Sequence, residues 1–316
     1  GCQRARLRED QAHDQQGHTS RQDPHPGTAE DQLPGDPLFD AIEIGPVLRQ
    51  VVHEYPRQRD DASDPVCESR EGLEGDSRSR PRGYPAGMSR YDAYLFDVQG
   101  TLTDFFTPVS RALADALGPG TDPATAGDMT RAWRRDYYER VLRLEQSVEQ
   151  WYRLQDAYVD GLGDVCEQFG IDLPPETRVE VARAWQRLEP WPDVRPGLKA
   201  LRARALVAPL SNTDMSTMVR LFKEQDLEAD AIFTAELFGA FKPAPVVYER
   251  ACRFLGVDPS RAAMVASHPY DLEAAREVGL HTVFVDRPLE NGRLEDAVVA
   301  PDGGFDHRID DLRAVP

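Results

Sequence analysis

The apolar positions of the chain follow two different patterns, and the change comes near Met88. From Tyr91 onward, short apolar runs alternate with segments of helical periodicity. The first run, residues 93–96 (AYLF), has the composition of a buried strand and leads into a tight polar loop. Beyond it, the pattern predicts further strands at 205–210, 262–266 and 282–285, and helices at 215–224, 245–255 and 272–278.

This alternation predicts an α/β fold of the Rossmann-like kind, a mostly parallel sheet with helices on both faces. Residues from about 108 to 188 have a helical pattern throughout, which predicts an inserted helical cap domain. We therefore expect a core domain of residues 88–106 and 192–316, with a cap of residues 107–191. In open α/β sheets, ligands bind at the carboxyl ends of the strands.

Upstream of residue 88 the chain has few apolar residues and no sustained period. Such a segment cannot bury enough apolar surface to offset the entropy lost on ordering. We expect residues 1–87 to be a disordered or dispensable N-terminal extension, apart from a short helix at about 38–52.

The net charge and the cysteine content limit the classes of partner and of binding site that the chain can have. A net charge of -18 opposes broad contact with nucleic acid or an anionic membrane, because both need a basic face. The 4 cysteines are scattered, which favours reduced thiols in a cytoplasmic protein over a zinc site or a disulfide framework. No apolar run reaches the roughly 20 residues of a membrane span. An anionic small-molecule substrate would need arginine or lysine placed locally.

Polar clusters stand where predicted strands end or where loops follow them. Taken singly, each has an ordinary explanation, such as a helix cap or a solvated lysine. Their order along the chain and their shared position relative to the sheet are more specific. The clusters are Asp97-Val98-Gln99-Gly100-Thr101, Leu210-Ser211-Asn212, Lys242-Pro243 with Tyr248, and Ser267-His268-Pro269-Tyr270-Asp271.

These clusters resemble, in the same order, the four motifs of the haloacid dehalogenase superfamily. Within it, the chain is most similar to the L-2-haloacid dehalogenases of type II, because the loop after Asp97 lacks a second acid two residues further on. The Trp133-Arg134 pair in the predicted cap also fits that group. The resemblance extends from Tyr91 to about Arg287.

The resemblance implies a reaction through a covalent intermediate on Asp97. Its carboxylate would displace the halide of a small 2-haloalkanoic acid, and water would hydrolyse the resulting aspartyl ester. Lys242 would lower the pKa of Asp97 and allow Asp271 to share the site. Asp271 would orient or deprotonate the water. The expected hydrogen-bond donors to carboxylate oxygens or to the oxyanion are Thr101, Ser211 and Asn212.

The resemblance also implies a substrate-binding set. Arg134 would hold the substrate carboxylate or the departing halide, so that closure of the cap is part of the mechanism. Tyr138 is a further pocket-wall candidate, although aromatics at helical spacing are more often core. No metal or cofactor is implied, and a homodimer is common among such enzymes. The remaining substrate-binding candidates are Gln99, Tyr248, Ser267, His268 and Tyr270.

The sequence departs from these dehalogenases at two positions. Gln99 stands where they usually carry an aromatic residue, and this makes the pocket more polar. His268 stands where they usually carry asparagine. It is a candidate for positioning water as a base, and the alternative is an ordinary loop histidine.

Other functions stay open at this point. A magnesium-dependent phosphatase of the same superfamily would need a second acid at the position of Gln99, which cannot donate a proton as a general acid. Asp97 and Asp271 alone also make a thin ligand set for Mg²⁺. The same aspartate would serve to displace another leaving group, such as the amine of a strained-ring amino acid. A non-catalytic binding protein with this fold is the remaining alternative.

Overall fold

The computed structural model describes residues 90–145, 152–301 and 303–316. The predicted extension of residues 1–87, its helix at 38–52 and Met88 lie outside the described residues. Cys166 and Cys252 are buried and free. Within the described ranges, no helix is long and apolar enough to cross a membrane.

The secondary structure consists of short strands and helices in alternation on either side of one long helical segment. The strands are β1 (Ala93–Phe96), β2 (Thr103–Asp104), β3 (Glu189–Pro190), β4 (Leu206–Ser211), β5 (Phe233–Thr234), β6 (Ala262–Ala266), β7 (His281–Val285) and β8 (His307–Ile309). The helices are α1 (Phe106–Leu117), α2 (Pro123–Glu145), α3 (Leu154–Gln168), α4 (Pro175–Ala182), α5 (Val194–Arg202), α6 (Met215–Glu224), α7 (Ala235–Phe238), α8 (Pro245–Leu255) and α9 (Pro269–Glu277). Short 3-10 turns occupy Arg183–Gln186, Pro259–Arg261, Leu294–Asp296 and Leu312–Ala314.

Six of the strands form one parallel sheet in the order β5-β4-β1-β6-β7-β8. Along β1, Tyr94 and Phe96 pack into one apolar cluster, and Ala93 and Leu95 pack into a second. Both faces of the strand are therefore buried, which explains why it is a continuous apolar run rather than an alternating one. The predicted Rossmann-like α/β class is confirmed.

Most predicted element boundaries agree with the structure, with small differences at three. The strand predicted at 205–210 is displaced by one residue, to Leu206–Ser211. The helix predicted at 272–278 begins earlier, at Pro269, because proline suits the first turn of a helix, where its missing N–H is not needed. The strand predicted at 282–285 begins at His281. The very short strands β2, β3 and β5, and the edge strand β8, were not predicted.

The helices α1 to α4 are inserted between β2 and β3, which pair antiparallel with Thr103 opposite Pro190. At this root, the Trp191 N–H donates to the Leu102 carbonyl at 3.0 Å, and Trp191 Nε1 donates to the Gly100 carbonyl at 2.8 Å. The insert is thus attached directly to the loop that follows β1. The insert occupies the position expected for the cap, and its division from the core as a separate domain stays a prediction.

The insert has an aromatic core of its own. Trp185 stacks on Tyr158 at 4.4 Å and on Phe105 at 5.4 Å between ring centroids. Trp133 meets Trp185 edge-on at 5.6 Å, and its Nε1 donates to the Tyr158 carbonyl at 3.0 Å. This packing fixes α2, and it holds Arg134, the next residue, against the loop after β1.

Candidate active site

The sheet brings three of the four polar clusters to one edge. β1 lies between β4 and β6, and all three run parallel, so their carboxyl ends coincide. Asp97 directly follows β1, Ser211 ends β4, and Ser267 directly follows β6. The fourth cluster, with Lys242, comes from the loop before α8.

A buried ammonium group joins two buried carboxylates. Lys242 Nζ lies 2.8 Å from Asp97 Oδ1 and 2.5 Å from Asp271 Oδ2. Burial alone would raise the pKa of Asp97, but Lys242 and His268 together hold that pKa well below its usual range. Burial alone would lower the pKa of Lys242, and the two carboxylates raise it instead. The site therefore contains an ionised Asp97 next to a charged lysine at neutral pH.

Asp271 is anchored on its other oxygen by Tyr248, whose hydroxyl donates to Asp271 Oδ1 at 2.6 Å. Burial raises the pKa of Asp271; Lys242 opposes this, and the charge of Asp97 adds to it, so that the pKa is raised. Tyr248 is fully buried, and its hydroxyl contacts Asp271. The polar atom of Tyr248 is used here to hold a carboxylate, and its predicted part in substrate binding stays a prediction.

The second oxygen of Asp97 accepts hydrogen bonds from two side chains. Thr101 Oγ1 donates to Asp97 Oδ2 at 2.7 Å, as predicted, and His268 Nδ1 lies 3.0 Å from the same oxygen. Thr101 is fixed in turn, because its Oγ1 accepts from the Ser267 N–H at 2.9 Å. His268 is thus a direct partner of the predicted nucleophile and not an ordinary loop histidine.

Behind His268 lies Glu290, a residue that sequence analysis missed. His268 Nε2 lies 2.7 Å from Glu290 Oε1, and Ser267 Oγ donates to Glu290 Oε2 at 3.0 Å. Burial alone would lower the pKa of His268, but Glu290 and Asp97 raise it to about 9. Ser267 bonds Glu290 and Thr101, and its predicted part in substrate binding stays a prediction. The only available signal for Glu290 was its position in the loop after β7, at the same edge of the sheet.

Gly100 lies directly against Glu290. Its φ of +93° is in the left-handed region that favours glycine. A Cβ at this position would also lie 2.7 Å from Glu290 Oε1. The glycine therefore allows both the sharp turn after Asp97 and the approach of Glu290 to His268.

Ser211 and Asn212 do not make the contacts predicted for them. Asn212 Oδ1 accepts from the Lys242 N–H at 2.7 Å, and its Nδ2 donates to the Lys242 carbonyl at 3.1 Å. Ser211 Oγ lies 2.9 Å from Thr213 Oγ1 and accepts from the Thr213 N–H at 3.2 Å. Asn212 thus fixes the backbone of Lys242, and the predicted donation of both residues to Asp97 is replaced by local pairing.

On the side facing the insert, Arg134 binds Gln99. Its Nη1 donates to Gln99 Oε1 at 3.0 Å, and its Nη2 donates to the Gln99 carbonyl at 3.2 Å. The Tyr158 hydroxyl donates to the same Oε1 at 2.8 Å. The guanidinium lies over the rings of Phe105 and Tyr138, at 4.5 and 4.6 Å from their centroids. The predicted partner of Gln99 and Arg134 was a substrate, whereas here each binds the other.

Two polar atoms of this pair and one of the neighbouring Tyr138 are buried and have no hydrogen-bond partner among the described residues. They are Gln99 Nε2, Arg134 Nε and Tyr138 Oη. Buried donors of this kind are costly unless something satisfies them. A bound molecule with acceptor oxygens or a halide would do so.

Tyr270 contributes to an aromatic group that also includes Tyr138 and the ring of His268. Its ring centroid lies 5.8 Å from those of both Tyr138 and His268, and Tyr138 and His268 are 6.0 Å apart. Tyr270 is half-buried. The arrangement fits the pocket wall expected for Tyr270 and Tyr138.

Comparison with known proteins identifies the family of the chain. The sequence profile of the haloacid dehalogenase-like hydrolase family matches residues 91–279. The chain belongs to this family. The (S)-2-haloacid dehalogenase of Pseudomonas sp. (strain YL) is 30% identical over 203 residues, which are 63% of this chain and 84% of that protein.

Two crystal structures are also similar to this hydrolase. One, of an L-2-haloacid dehalogenase, is 35% identical with a TM-score of 0.62 and covers 70% of this chain and 95% of its own. The other, of a defluorinating L-2-haloacid dehalogenase, is 31% identical with a TM-score of 0.63 and covers 71% of this chain and 92% of its own. The predicted resemblance to L-2-haloacid dehalogenases is confirmed.

One further acid of this hydrolase follows the nucleophile closely in the sequence, and it is engaged within the protein. Asp104, the other acid near the nucleophile, accepts from the Thr107 N–H at 3.0 Å and so satisfies the first turn of α1. In the part of the chain that the structure describes, no group of three or more His, Cys, Asp or Glu side chains is placed to hold a metal ion. A reaction without metal or cofactor stays a prediction.

Proposed function

We propose that this hydrolase cleaves the carbon–halogen bond of a small 2-haloalkanoic acid through an aspartyl ester on Asp97. The observation that carries the proposal is the single ammonium group of Lys242 between Asp97 and Asp271. It keeps one carboxylate ionised as a nucleophile and allows a second to remain within the same buried site.

The first half of the reaction is an in-line displacement. Asp97 attacks the carbon that bears the halogen, and the halide leaves with the bonding electrons, so that no proton has to be supplied. The open donors of Arg134, Gln99 and Tyr138 would receive the substrate carboxylate or the halide. Their burial strengthens such contacts, because water does not compete for the anion.

The second half is hydrolysis of the ester. Water adds to the Cγ atom of Asp97, and Asp271, which is held by Lys242 and Tyr248, accepts a proton from that water. One oxygen of the water then remains in the Asp97 carboxylate. This is the step that distinguishes a covalent aspartate mechanism from direct attack of water on the substrate.

The geometry supports a dehalogenase better than a phosphatase. The residue two positions after the nucleophile is Gln99, and its Oε1 accepts from Arg134 and Tyr158. An amide locked in this way cannot protonate a leaving alkoxide. Halide needs no such proton, so the missing acid matters only for the phosphatase.

The test is halide release from L-2-chloropropionate and from fluoroacetate in buffer treated with a chelator. We expect release with the intact protein and none with Asp97→Asn, because an amide is not a nucleophile at this carbon. Asp92→Asn, which changes an acid on the protein surface that pairs with Arg261, is the matched control and should keep full activity.

A single turnover in ¹⁸O-labelled water adds the mechanistic readout. The label should enter the Asp97 carboxylate first, as shown by mass analysis of the peptide that contains it. Metal-dependent phosphate release from a phosphoester, without halide release from either acid, would reject the proposal in favour of the phosphatase.

A further inference from the structure

We propose that His268 is a catalytic residue of ester hydrolysis, forming with Thr101 the oxyanion hole, and that Asp97 Oδ1 is the attacking atom. Glu290 is then a positioning residue that acts through His268. This inference rests on the proposed function, and it assigns the two oxygens of Asp97 to different tasks.

The assignment follows from the acceptor capacity of each oxygen. A carboxylate oxygen has two lone pairs in the plane of the group. Asp97 Oδ2 accepts from Thr101 at 2.7 Å and from His268 at 3.0 Å, so both of its lone pairs are used. Among the described residues, Lys242 is the one hydrogen-bond donor to Oδ1, which leaves a lone pair free to attack carbon.

Ester formation turns Oδ2 into the carbonyl oxygen. When water adds to Cγ, the electron pair of that C=O bond moves onto Oδ2, which becomes negative. Donors at 2.7–3.1 Å from this position are what an oxyanion hole requires. Thr101 Oγ1 and His268 Nδ1 already lie within that range, and they need not move as charge develops.

The bonds and protons balance as follows. Oδ1 attacks the substrate carbon and the halide departs with the electron pair. Water adds to Cγ and gives one proton to Asp271; the C=O bond to Oδ2 then reforms, and the Cγ–Oδ1 bond breaks. Oδ1 leaves within the 2-hydroxy acid and takes a proton from Lys242 Nζ, which lies 2.8 Å away. The new carboxylic acid returns a proton to Lys242, and Asp271 releases its proton to solvent.

Glu290 explains how His268 keeps the proton on Nδ1 during these reaction steps. Ester formation removes the negative charge of Asp97, one of the two anions that face the imidazole. The second, Glu290, stays 2.7 Å from Nε2 and continues to favour the imidazolium. The other titratable groups that face His268 are the phenols of Tyr138 and Tyr270, and burial raises the pKa of both well above the usual value. They stay neutral, so the charge of His268 depends on Glu290.

Besides Thr101, the two residues first expected to donate to the oxyanion are otherwise engaged. Asn212 is bonded to the backbone of Lys242, and Ser211 is bonded to Thr213. His268 is also unsuited to act as the base for water in this state, because a protonated Nδ1 directed at Asp97 has no free lone pair. A donor to the oxyanion is the role that its geometry allows.

The experiment compares the two half-reactions in one pre-steady-state measurement. Wild-type protein, His268→Ala and His268→Asn are mixed with L-2-chloropropionate, halide is followed through the first turnover, and the ester is followed by intact-protein mass. With His268→Ala we expect a halide burst of about one equivalent, slowed by less than about 10-fold. Ester hydrolysis should slow by ~10²–10³-fold, so that the ester accumulates. His268→Asn restores a neutral donor and should recover part of the loss.

The pH profile tests Glu290. Wild-type ester hydrolysis should fall at alkaline pH, as His268 loses its proton. The fall should come below the pKa of about 9 that His268 has in the free enzyme, because the ester lacks the Asp97 charge that helps to hold this proton. Glu290→Gln should move that fall to lower pH while leaving the halide burst intact, and His268→Asn should abolish it. Glu295→Gln changes an exposed acid in the same loop and should leave the profile unchanged.

Equal slowing of both half-reactions in His268→Ala, with no accumulated ester, would overturn the inference. If that variant loses its cooperative thermal transition, the His268→Asn and Glu290→Gln profiles decide, and profiles identical to wild type would overturn it as well. Absence of halide release from the wild-type protein is a different result, because it rejects the proposed function itself.

Discussion

The two sides of the site differ in how completely their polar groups are paired. On the core side, every charged side chain has a partner within the protein: Asp97, Lys242, Asp271, His268 and Glu290. On the side facing the insert, Gln99 Nε2, Arg134 Nε and Tyr138 Oη are buried and have no hydrogen-bond partner among the residues that the structure describes. We infer that the core side is arranged for reaction before a substrate arrives, whereas the insert side becomes fully paired on binding. We infer that the core sets the chemistry and the insert sets the selectivity.

Removal of Lys242 should have the largest effect. Lys242→Met keeps the aliphatic stem but leaves Asp97 and Asp271 buried together without a cation, and breaking a buried pair in this way costs ~3–5 kcal/mol. We expect halide release to fall by roughly 10³-fold or more, since Asp97 then becomes protonated. Urea unfolding and halide assays measure the two effects. Lys199→Met, at an exposed lysine, should change neither, and a Lys242→Met enzyme near wild-type activity would break the comparison.

Arg134 should matter for binding more than for chemistry. Arg134→Lys keeps the charge but loses the planar fork that holds Gln99 at two points. We expect KM to rise by about 10- to 100-fold and kcat to change by less, an effect of ~1–3 kcal/mol. Steady-state kinetics with L-2-chloropropionate separate the two. Arg111→Lys, at an exposed arginine of α1, is the control. A loss confined to kcat would instead show that Arg134 acts in the chemical step.

His268, on the core side, should also make the free energy of unfolding fall at alkaline pH. The pKa of His268 is raised to about 9 in the folded protein, and it is ~6.5 in the unfolded chain. Because the folded pKa is the higher one, this stabilisation is fully present below about pH 6.5 and is lost as pH rises through about 9. It amounts to ~3 kcal/mol. The pKa of Asp97 is lowered instead, so its contribution is lost only under acid conditions.

Urea unfolding between about pH 6 and pH 10 measures this loss. His268→Asn should flatten the slope of the unfolding free energy against pH, because asparagine does not titrate. A slope unchanged in that variant would show that the alkaline dependence comes from another group.

The smallest effect is expected at Asp104, which belongs to neither side. Asp104→Asn weakens the acceptor for the Thr107 N–H at the start of α1, at a cost of about 0.5–1 kcal/mol. Halide release should stay within about 2-fold of wild type, a difference of less than 1 kcal/mol in the barrier. A large drop in activity, with thermal stability unchanged, would instead show that Asp104 takes part in the reaction.

The sheet and the convergence of the site could be predicted from the sequence. Buried parallel strands appear as continuous apolar runs, and residues at their carboxyl ends must meet at one edge. Asp97 after β1 and Asp271 after β6 are examples, whereas their link through Lys242 was implied by the resemblance to the dehalogenases.

The direction of each side chain could not be predicted in the same way. Ser211, Asn212 and Tyr248 are at the expected edge, but their polar atoms pair with Thr213, Lys242 and Asp271. A one-dimensional pattern gives the end of a strand but not the rotamer beyond it. Glu290 was missed for a related reason, because it lies in a loop with no motif, and only the three-dimensional fold places it behind His268.

The closeness of Glu290 to Gly100 and His268 implies that these positions evolve together. Loss of the imidazole alone would leave the buried carboxylate of Glu290 without its charged partner. A Cβ at residue 100 would displace the same carboxylate from the His268 ring. Descendants of this chain should therefore exchange histidine for asparagine at 268 only when residue 290 is exchanged as well. A comparison of residues 268 and 290 across relatives would test this expectation without an enzyme assay.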